Sequence, residues 1–354
     1  MLSAAVTVMA FASLSGKPVS SYRPPRGPVG VHTQSMQSKL RDRVAASPIA
    51  RGAAFPLRTM VVARHNARVI GRSLDWLVRS RETMNFTYAL EPLNRDQLCW
   101  FVSTATGADI KQVRAWMQEL EEDGDLLDKL TRRLSSNPYR GISSKELHWG
   151  RRLGWYTVIR ATQPDHVVET GTHLGLGSCA IAAALRRNGH GRLTTIDIDP
   201  EAGCLIGEPL ASVIDRYTGN SIDVLRAVRD VDMFLHDSVH TYDYESRELT
   251  AVEPNLRPDA IILSDNSQVT SALSDWAERS GRHYLFFKEL PLDHWWPGAG
   301  IGVAWKLYAI ERHEQAKQAT GSLKGVERAR KSGLVRRGGA RACWRVVVTV
   351  VRLR

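Results

Sequence analysis

From residue 166 onward the chain alternates between two hydrophobic periods. Short apolar, often β-branched runs of strand length are each followed by stretches with helical spacing. Strands are read at 166–170, 192–197, 231–236, 259–264, 283–288 and 301–305, with helices at 177–187, 243–255 and 269–280 and a helical segment near 201–214. A helix over 142–162 leads into the first strand, with Ser143 or Ser144 as cap and Leu147, Leu153, Trp155, Val158 and Ile159 as its apolar positions. This order predicts an α/β fold with a doubly wound, mostly parallel sheet. The last two strands, joined by a loop without helical pattern, are expected as an antiparallel hairpin that closes one edge.

Upstream, three short helices are expected. Asn94 or Asp96 caps one through Phe101, the Thr106-Gly107-Ala108-Asp109 turn caps a second from Ile110 to Leu120, and Asp125 begins a third that ends near Leu134. Acidic residues from Glu119 to Asp125 follow the second helix and would repel phosphates, so a small helical cap over a pocket is preferred to a helix-turn-helix. Residues 16–60 are rich in Ser, Pro, Gly and Arg without periodicity and read as disordered. Val61 to Ser80 carries Val69, Ile70, Leu74, Trp76 and Leu77 at helical spacing and is expected to pack on the core rather than on a membrane surface. The division is therefore a basic extension at 1–85, the cap at 86–135, the α/β domain at 136–305 and a basic tail at 306–354.

Charge sharpens that division. The net charge of +11 is uneven: residues 1–85 and 306–354 each carry 13 Lys and Arg against 3 acids, while residues 86–305 carry 22 against 31. The basic arms suit nucleic acid, anionic lipid or an acidic partner, but solvated ends without a fixed partner are preferred. Met1 to Ser15 is apolar, yet no Lys or Arg precedes it and it is too short to span a bilayer; no transmembrane segment is read. Cys99, Cys179, Cys204 and Cys343 form no C-x-x-C pair, which fits a reducing, cytoplasmic setting. Homo-oligomer formation stays open.

The densest chemistry lies in His166-Val167-Val168-Glu169-Thr170-Gly171-Thr172-His173-Leu174-Gly175-Leu176-Gly177-Ser178, a strand, a glycine-rich turn and a helix start. Glycines let the backbone approach a ligand, and the free N–H groups of the helix face it. Gly175-x-Gly177-x-x-Ala180 fits the dinucleotide fingerprint. The longer Glu169-x-Gly171-x-x-x-Gly175-x-Gly177 resembles motif I of class I S-adenosylmethionine-dependent methyltransferases, where the acid contacts the cofactor's methionine end. On that resemblance Glu169, Gly171, Thr172, His173, Gly175, Gly177 and Ser178 surround the cofactor; the competing reading is that Glu169 only accepts hydrogen bonds in the turn. Asp197 then takes the ribose, with Asp199 as neighbour or as a turn cap, and Asn220 and Ser221 stand where that fold meets adenine.

Further on, Asp237-x-x-His240-x-Tyr242 resembles the D-x-x-H-[ST]-Y signature of the group that includes macrolide sugar O-methyltransferases and cephalosporin-hydroxylase-type proteins. His236, directly before the acid, departs from it. Asp265 and Asn266 resemble the Asp-Asn of metal-dependent catechol-type enzymes. The resemblance implies Mg²⁺ on Asp237, Asp265 and Asn266, with Asp237 and His240 as catalytic residues and His240 as the base. Glu245 and Glu248, on the following helix, are expected to be exposed, and Trp295-Trp296 either walls an acceptor site or packs as core.

Together these resemblances cover roughly residues 140–305 and imply a Rossmann-like S-adenosylmethionine-dependent O-methyltransferase acting on a small molecule or sugar. The alternatives are an RNA methyltransferase that uses the basic arms, a nicotinamide-dependent oxidoreductase, and a cofactor-binding protein without chemistry.

Overall fold

The computed structural model describes residues 54–80, 87–136 and 147–306, together with Gly52 and Glu82. The chain divides into two units, residues 1–66 and 67–354. The expected caps Ser143 and Ser144, most of the disordered stretch expected at 16–60 and the tail beyond 306 lie outside the described residues; from Phe55 onward that stretch is helical instead, because its apolar positions continue the spacing read over 61–80.

Helix α1 (Phe55–Arg79) fulfils the periodicity read over 61–80. The packing expected of it is met only in part: Trp76 sits edge-on to Trp295 with ring centroids 5.7 Å apart, while Val69, Ile70, Leu74 and Leu77 stay exposed. Helices α2 (Pro92–Thr106), α3 (Ile110–Glu121) and α4 (Gly124–Ser135) make the cap. The start of α2 differs from the capping expected at Asn94 or Asp96. Its first turn opens on Pro92, a residue whose missing N–H costs nothing there, and Asn94 instead bridges to the Lys288 carbonyl at 2.9 Å. Asp109 caps α3 by accepting from the N–H groups of Lys111 and Gln112, as the turn predicted. The cap of α4 is Asp123 rather than Asp125.

The α/β part follows as α5 (Arg152–Thr162), β1 (His166–Thr170), α6 (Leu176–Asn188), β2 (Arg192–Asp197), β3 (Ile214–Thr218), α7 (Ser221–Ala227), β4 (Val231–His236), α8 (Tyr242–Val252), β5 (Leu256–Asp265), α9 (Ala272–Arg279), β6 (His283–Lys288) and β7 (Gly300–Trp305). The sheet order is β3-β2-β1-β4-β5-β7-β6. Strands β3, β2, β1, β4 and β5 pair in parallel, and β7 inserts antiparallel between β5 and β6.

The expected helix near 201–214 is absent. Gly203, Gly207 and Pro209 break the spacing there, and only a short 3₁₀ turn, Ala211–Val213, forms before β3. Strand β3 carries no apolar alternation because it is an outer strand with mostly exposed side chains.

Burial explains the layering. Successive strand residues face opposite sides, so Val167, Leu193, Met233, Leu235, Ile261 and Leu263 join α5, α6 and the cap helices in one core. Val168, Phe234 and Ile262 join α7, α8 and α9 in the other. The inner strands β1, β4 and β5 thus bury apolar residues on both faces, as a sheet covered by helices on both sides requires. Their carboxyl ends open toward one edge, where the first crossing changes sides between β1 and β4.

Candidate functional site

At that edge lies a cavity of about 710 Å³. Its wall contains Gly171 and His173 from the turn after β1, Asp197 at the end of β2, Asn220 and Ser221 at the start of α7, Asp237 and His240 after β4, and Asp265 and Asn266 at the end of β5. Five separate crossovers thus bring these predicted residues together. Glu169, Thr172, Gly175, Gly177, Ser178 and Asp199 do not line it.

The turn is held by its glycines. Gly171 has φ of +90°, and a Cβ there would run into the Asp237 carbonyl, so β1 and β4 approach each other only over glycine. Behind the turn, buried Glu169 accepts a hydrogen bond from Ser178 Oγ and one of 2.7 Å from Thr195 Oγ1. Thr172 joins the same knot through Thr195, Oγ1 to Oγ1, at 2.6 Å. The carboxyl therefore braces the loop from beneath.

Burial pushes the Glu169 carboxyl up to about 7, against the opposing pull of its Ser178 and Thr195 hydrogen bonds and of Arg152. The raised value makes the protonated form the one the fold prefers. Stability from this group is then complete at pH values below the ordinary carboxyl value and is lost as pH rises through about 7. In Glu169→Gln the stability lost between pH 5 and pH 8 should shrink by roughly 2–3 kcal/mol, by denaturant melts across that range. An unchanged slope would discard this account.

Asp197 fixes the loop from the opposite side: its Oδ2 accepts the His173 N–H at 2.8 Å and its Oδ1 the Asp199 N–H at 3.0 Å. Its carboxylate is partly exposed in the wall, with lone pairs left for hydroxyl groups. Asp199 accepts the Glu201 N–H at 2.9 Å and is exposed, the behaviour of a turn cap. Asn220 caps α7 through the Ile222 N–H at 2.9 Å.

The His240 ring stands edge-on to His236, 5.6 Å between centroids, and its Nε2 lies 3.7 Å from Asp237 Oδ1. Burial lowers the proton affinity of His240, which favours its neutral form. His236 is itself fully buried, with Nδ1 2.6 Å from Glu248 Oε2. Glu245 and Glu248, expected to be exposed, are both buried. Glu245 accepts from Ser264 Oγ at 2.7 Å; Glu248 collects Thr170, Ser221, His236 and Ser238. They face the sheet because α8 packs against β4 and β5, and a polar helix face there finds hydroxyl partners instead of water.

Asp237, His240 and Asp265 present donor atoms within 4.8 Å of one another, a spacing that can hold a metal ion. Sequence reasoning missed the residue that also reaches Asp265. Arg151, just before α5, donates from Nε and from Nη2, the latter at 2.6 Å, to its two carboxylate oxygens. Nη1 donates to Tyr88 Oη at 2.6 Å and lies 3.5 Å from Glu289 Oε1. The signal available was a tandem Arg151-Arg152 ahead of a strongly apolar helix, an unusual place for two guanidinium groups.

Trp296 lines this cavity and a second one of about 480 Å³, walled also by Val69, Arg72, Leu290 and Trp295. It packs on Tyr88, 5.4 Å between ring centroids. Trp296 is thus half-buried against the core while it borders the cavity, and Trp295 stays exposed.

Residues 168–267 match the family described as "Methyltransferase domain". No curated protein matches the chain in sequence. Among solved structures, the O-methyltransferase TomG from Streptomyces achromogenes, involved in tomaymycin synthesis and in complex with S-adenosylmethionine, is 18% identical, covering 52% of this chain and 90% of that one, with a TM-score of 0.41. A methyltransferase from Geobacter sulfurreducens is 19% identical over 56% of this chain and 99% of that one, TM-score 0.41. An O-methyltransferase from Bacillus cereus with S-adenosylhomocysteine is 13% identical over 55% and 100%, TM-score 0.43. Such likenesses carry no residue role over to this chain. The α/β part of this chain thus has a Rossmann-like fold with an inserted antiparallel β7, and residues 168–267, which span the glycine turn and the acidic strand ends, are similar to a methyltransferase domain.

Proposed function

We propose that this protein methylates a hydroxyl group of a small molecule or sugar, with residues 136–305 as its catalytic domain and 86–135 as its cap. The observation that carries the proposal is one cavity walled at once by the glycine turn, the β2 acid and His240. Its volume suits a nucleoside-sized ligand with an acceptor beside it. In this reading Asp197 accepts the ribose hydroxyls, Asn220 and Ser221 border the adenine, and Gly171 and His173 lie along the methionine portion. S-adenosylmethionine supplies an electrophilic methyl group when bound. His240, kept neutral by burial, takes the proton of the acceptor hydroxyl, and Asp237 orients the ring.

The magnesium ion implied by Asp237, Asp265 and Asn266 draws support from the donor spacing around Asp237. It asks Asp265 to serve an octahedral ion while Arg151 holds both of its oxygens, and the residues present do not fit that demand. The proposed reaction has no metal step.

A cytoplasmic setting belongs to the proposal; Cys99, Cys179 and Cys204 are all unpaired, in keeping with a reducing compartment. No helix among the described residues is long and apolar enough to cross a membrane.

The test is calorimetric titration of the full chain with S-adenosylhomocysteine and, separately, with NAD⁺. S-adenosylhomocysteine should bind, and Asp197→Ala should weaken it about 10- to 100-fold, the usual loss for hydrogen bonds to a charged group. Heat from NAD⁺ alone, at several temperatures, would replace this reading with the oxidoreductase one.

A further inference from the structure

We infer that Arg151 is the resident cation of this site: its guanidinium, locked onto Asp265, takes the place of a divalent ion, and methyl transfer proceeds without metal. The inference rests on the methyl-transfer reading above but concerns a different property of the same cavity.

Two observations converge on it. First, the Arg151–Asp265 pair is bidentate, the arrangement in which a planar guanidinium matches both oxygens of a carboxylate. An ion coordinated by the same oxygens would lie against that guanidinium, positive charge beside positive charge, in a site shielded from water. Second, the guanidinium is built in from every side. Its side chain is 10% exposed, Asp265 and Glu289 are fully buried, and Tyr88 Oη, which takes a bond from Nη1, donates in turn to Glu289 Oε2 at 2.8 Å. An arginine in such a position stays charged at any working pH.

Arg151 lines the cavity that also holds His240. A fixed guanidinium there stabilises an acceptor oxygen as its proton leaves, the task that a metal would otherwise perform, and it needs no reorganisation to do so.

The decisive experiment uses Mn²⁺ alone as probe, followed by electron paramagnetic resonance and calorimetry on the full chain, with S-adenosylhomocysteine binding measured on the same samples. The wild type should take up no stoichiometric Mn²⁺ below about 1 mM, and EDTA should leave S-adenosylhomocysteine affinity unchanged. Arg151→Met, which keeps the aliphatic stem but frees both oxygens of Asp265, should gain Mn²⁺ affinity by at least about tenfold, and Asp237→Asn in that background should remove the gain. A wild-type protein that binds one Mn²⁺ at micromolar concentration, lost in Asp237→Asn, would overturn the inference. Should Arg151→Met fail to fold, the wild-type titration still decides. Failure of S-adenosylhomocysteine to bind would strike the methyl-transfer reading instead, since the Mn²⁺ result does not depend on it.

Discussion

His240→Ala should lower the rate of methyl transfer by about 10²- to 10⁴-fold while S-adenosylhomocysteine affinity changes less than about twofold. The split follows from position. His240 stands beside Asp237 and shares a donor cluster with Asp265, whereas Asp197 at the end of β2 is bonded to the turn, so on the proposed reading its loss removes a proton acceptor and leaves the Asp197 contacts in place. Its ring is held by edge contact with His236 and by the nearby Asp237 carboxyl, which keeps a single orientation available to a hydroxyl group. The measurement is transfer of a labelled methyl group to a panel of phenolic and sugar hydroxyls, then kinetics with whichever is accepted, alongside calorimetry. A variant that retained full kcat would remove His240 from the chemistry, and one that lost cofactor affinity would move it to the binding side.

Glu248→Ala should be the most damaging single change to stability, at about 3–5 kcal/mol, the usual loss when one member of a buried charged network is deleted. Glu248 is fully buried and accepts from Thr170 Oγ1 at 2.8 Å, Ser238 Oγ at 2.9 Å and Ser221 Oγ, with His236 Nδ1 at 2.6 Å. These partners come from the ends of β1 and β4 and from the start of α7, so one carboxyl ties three elements beneath the cavity floor. Burial raises its pKa, yet the bonds from His236, Ser221 and Thr170 outweigh that and hold the group below the ordinary carboxylate range. The stability that it contributes is present above the ordinary carboxyl value and is lost as pH falls through its own lowered one. Thermal melts at neutral pH should show a drop of roughly 10 °C for Glu248→Ala, with Glu248→Gln between it and the wild type. A melting point within about 2 °C of the wild type would mean that the network adds little.

The glycine turn, the strand-end acids and the alternation of strands and helices were legible because each is a local pattern: a period, a turn chemistry or a spacing that few other arrangements satisfy. Strands β1, β2, β4 and β6 fell on their expected residues for that reason. What escaped depends on partners distant in sequence. Strand β3 is an outer strand, and Asp215 and Arg216 in its middle give no apolar signal. Glu245 and Glu248 look like the solvated face of a helix until α8 is laid on the sheet, where Ser264, Thr170 and His236 await them. Asp265 was legible as a strand-end acid, but its principal partner is 114 positions away at Arg151, and no spacing rule reaches that far.

The bond from Arg151 to Tyr88 carries a practical meaning for anyone who trims this protein. Tyr88 precedes the first cap helix, far outside the segment 168–267 that carries the family match, and its ring also supports Trp296 in the cavity wall. A fragment cut to the α/β portion would keep the glycine turn and lose the support that Tyr88 gives Arg151 and Trp296 in the cavity wall. Such a fragment should still recognise a nucleoside while having nowhere well formed to seat the molecule that receives the methyl group, so expression boundaries belong upstream of Tyr88.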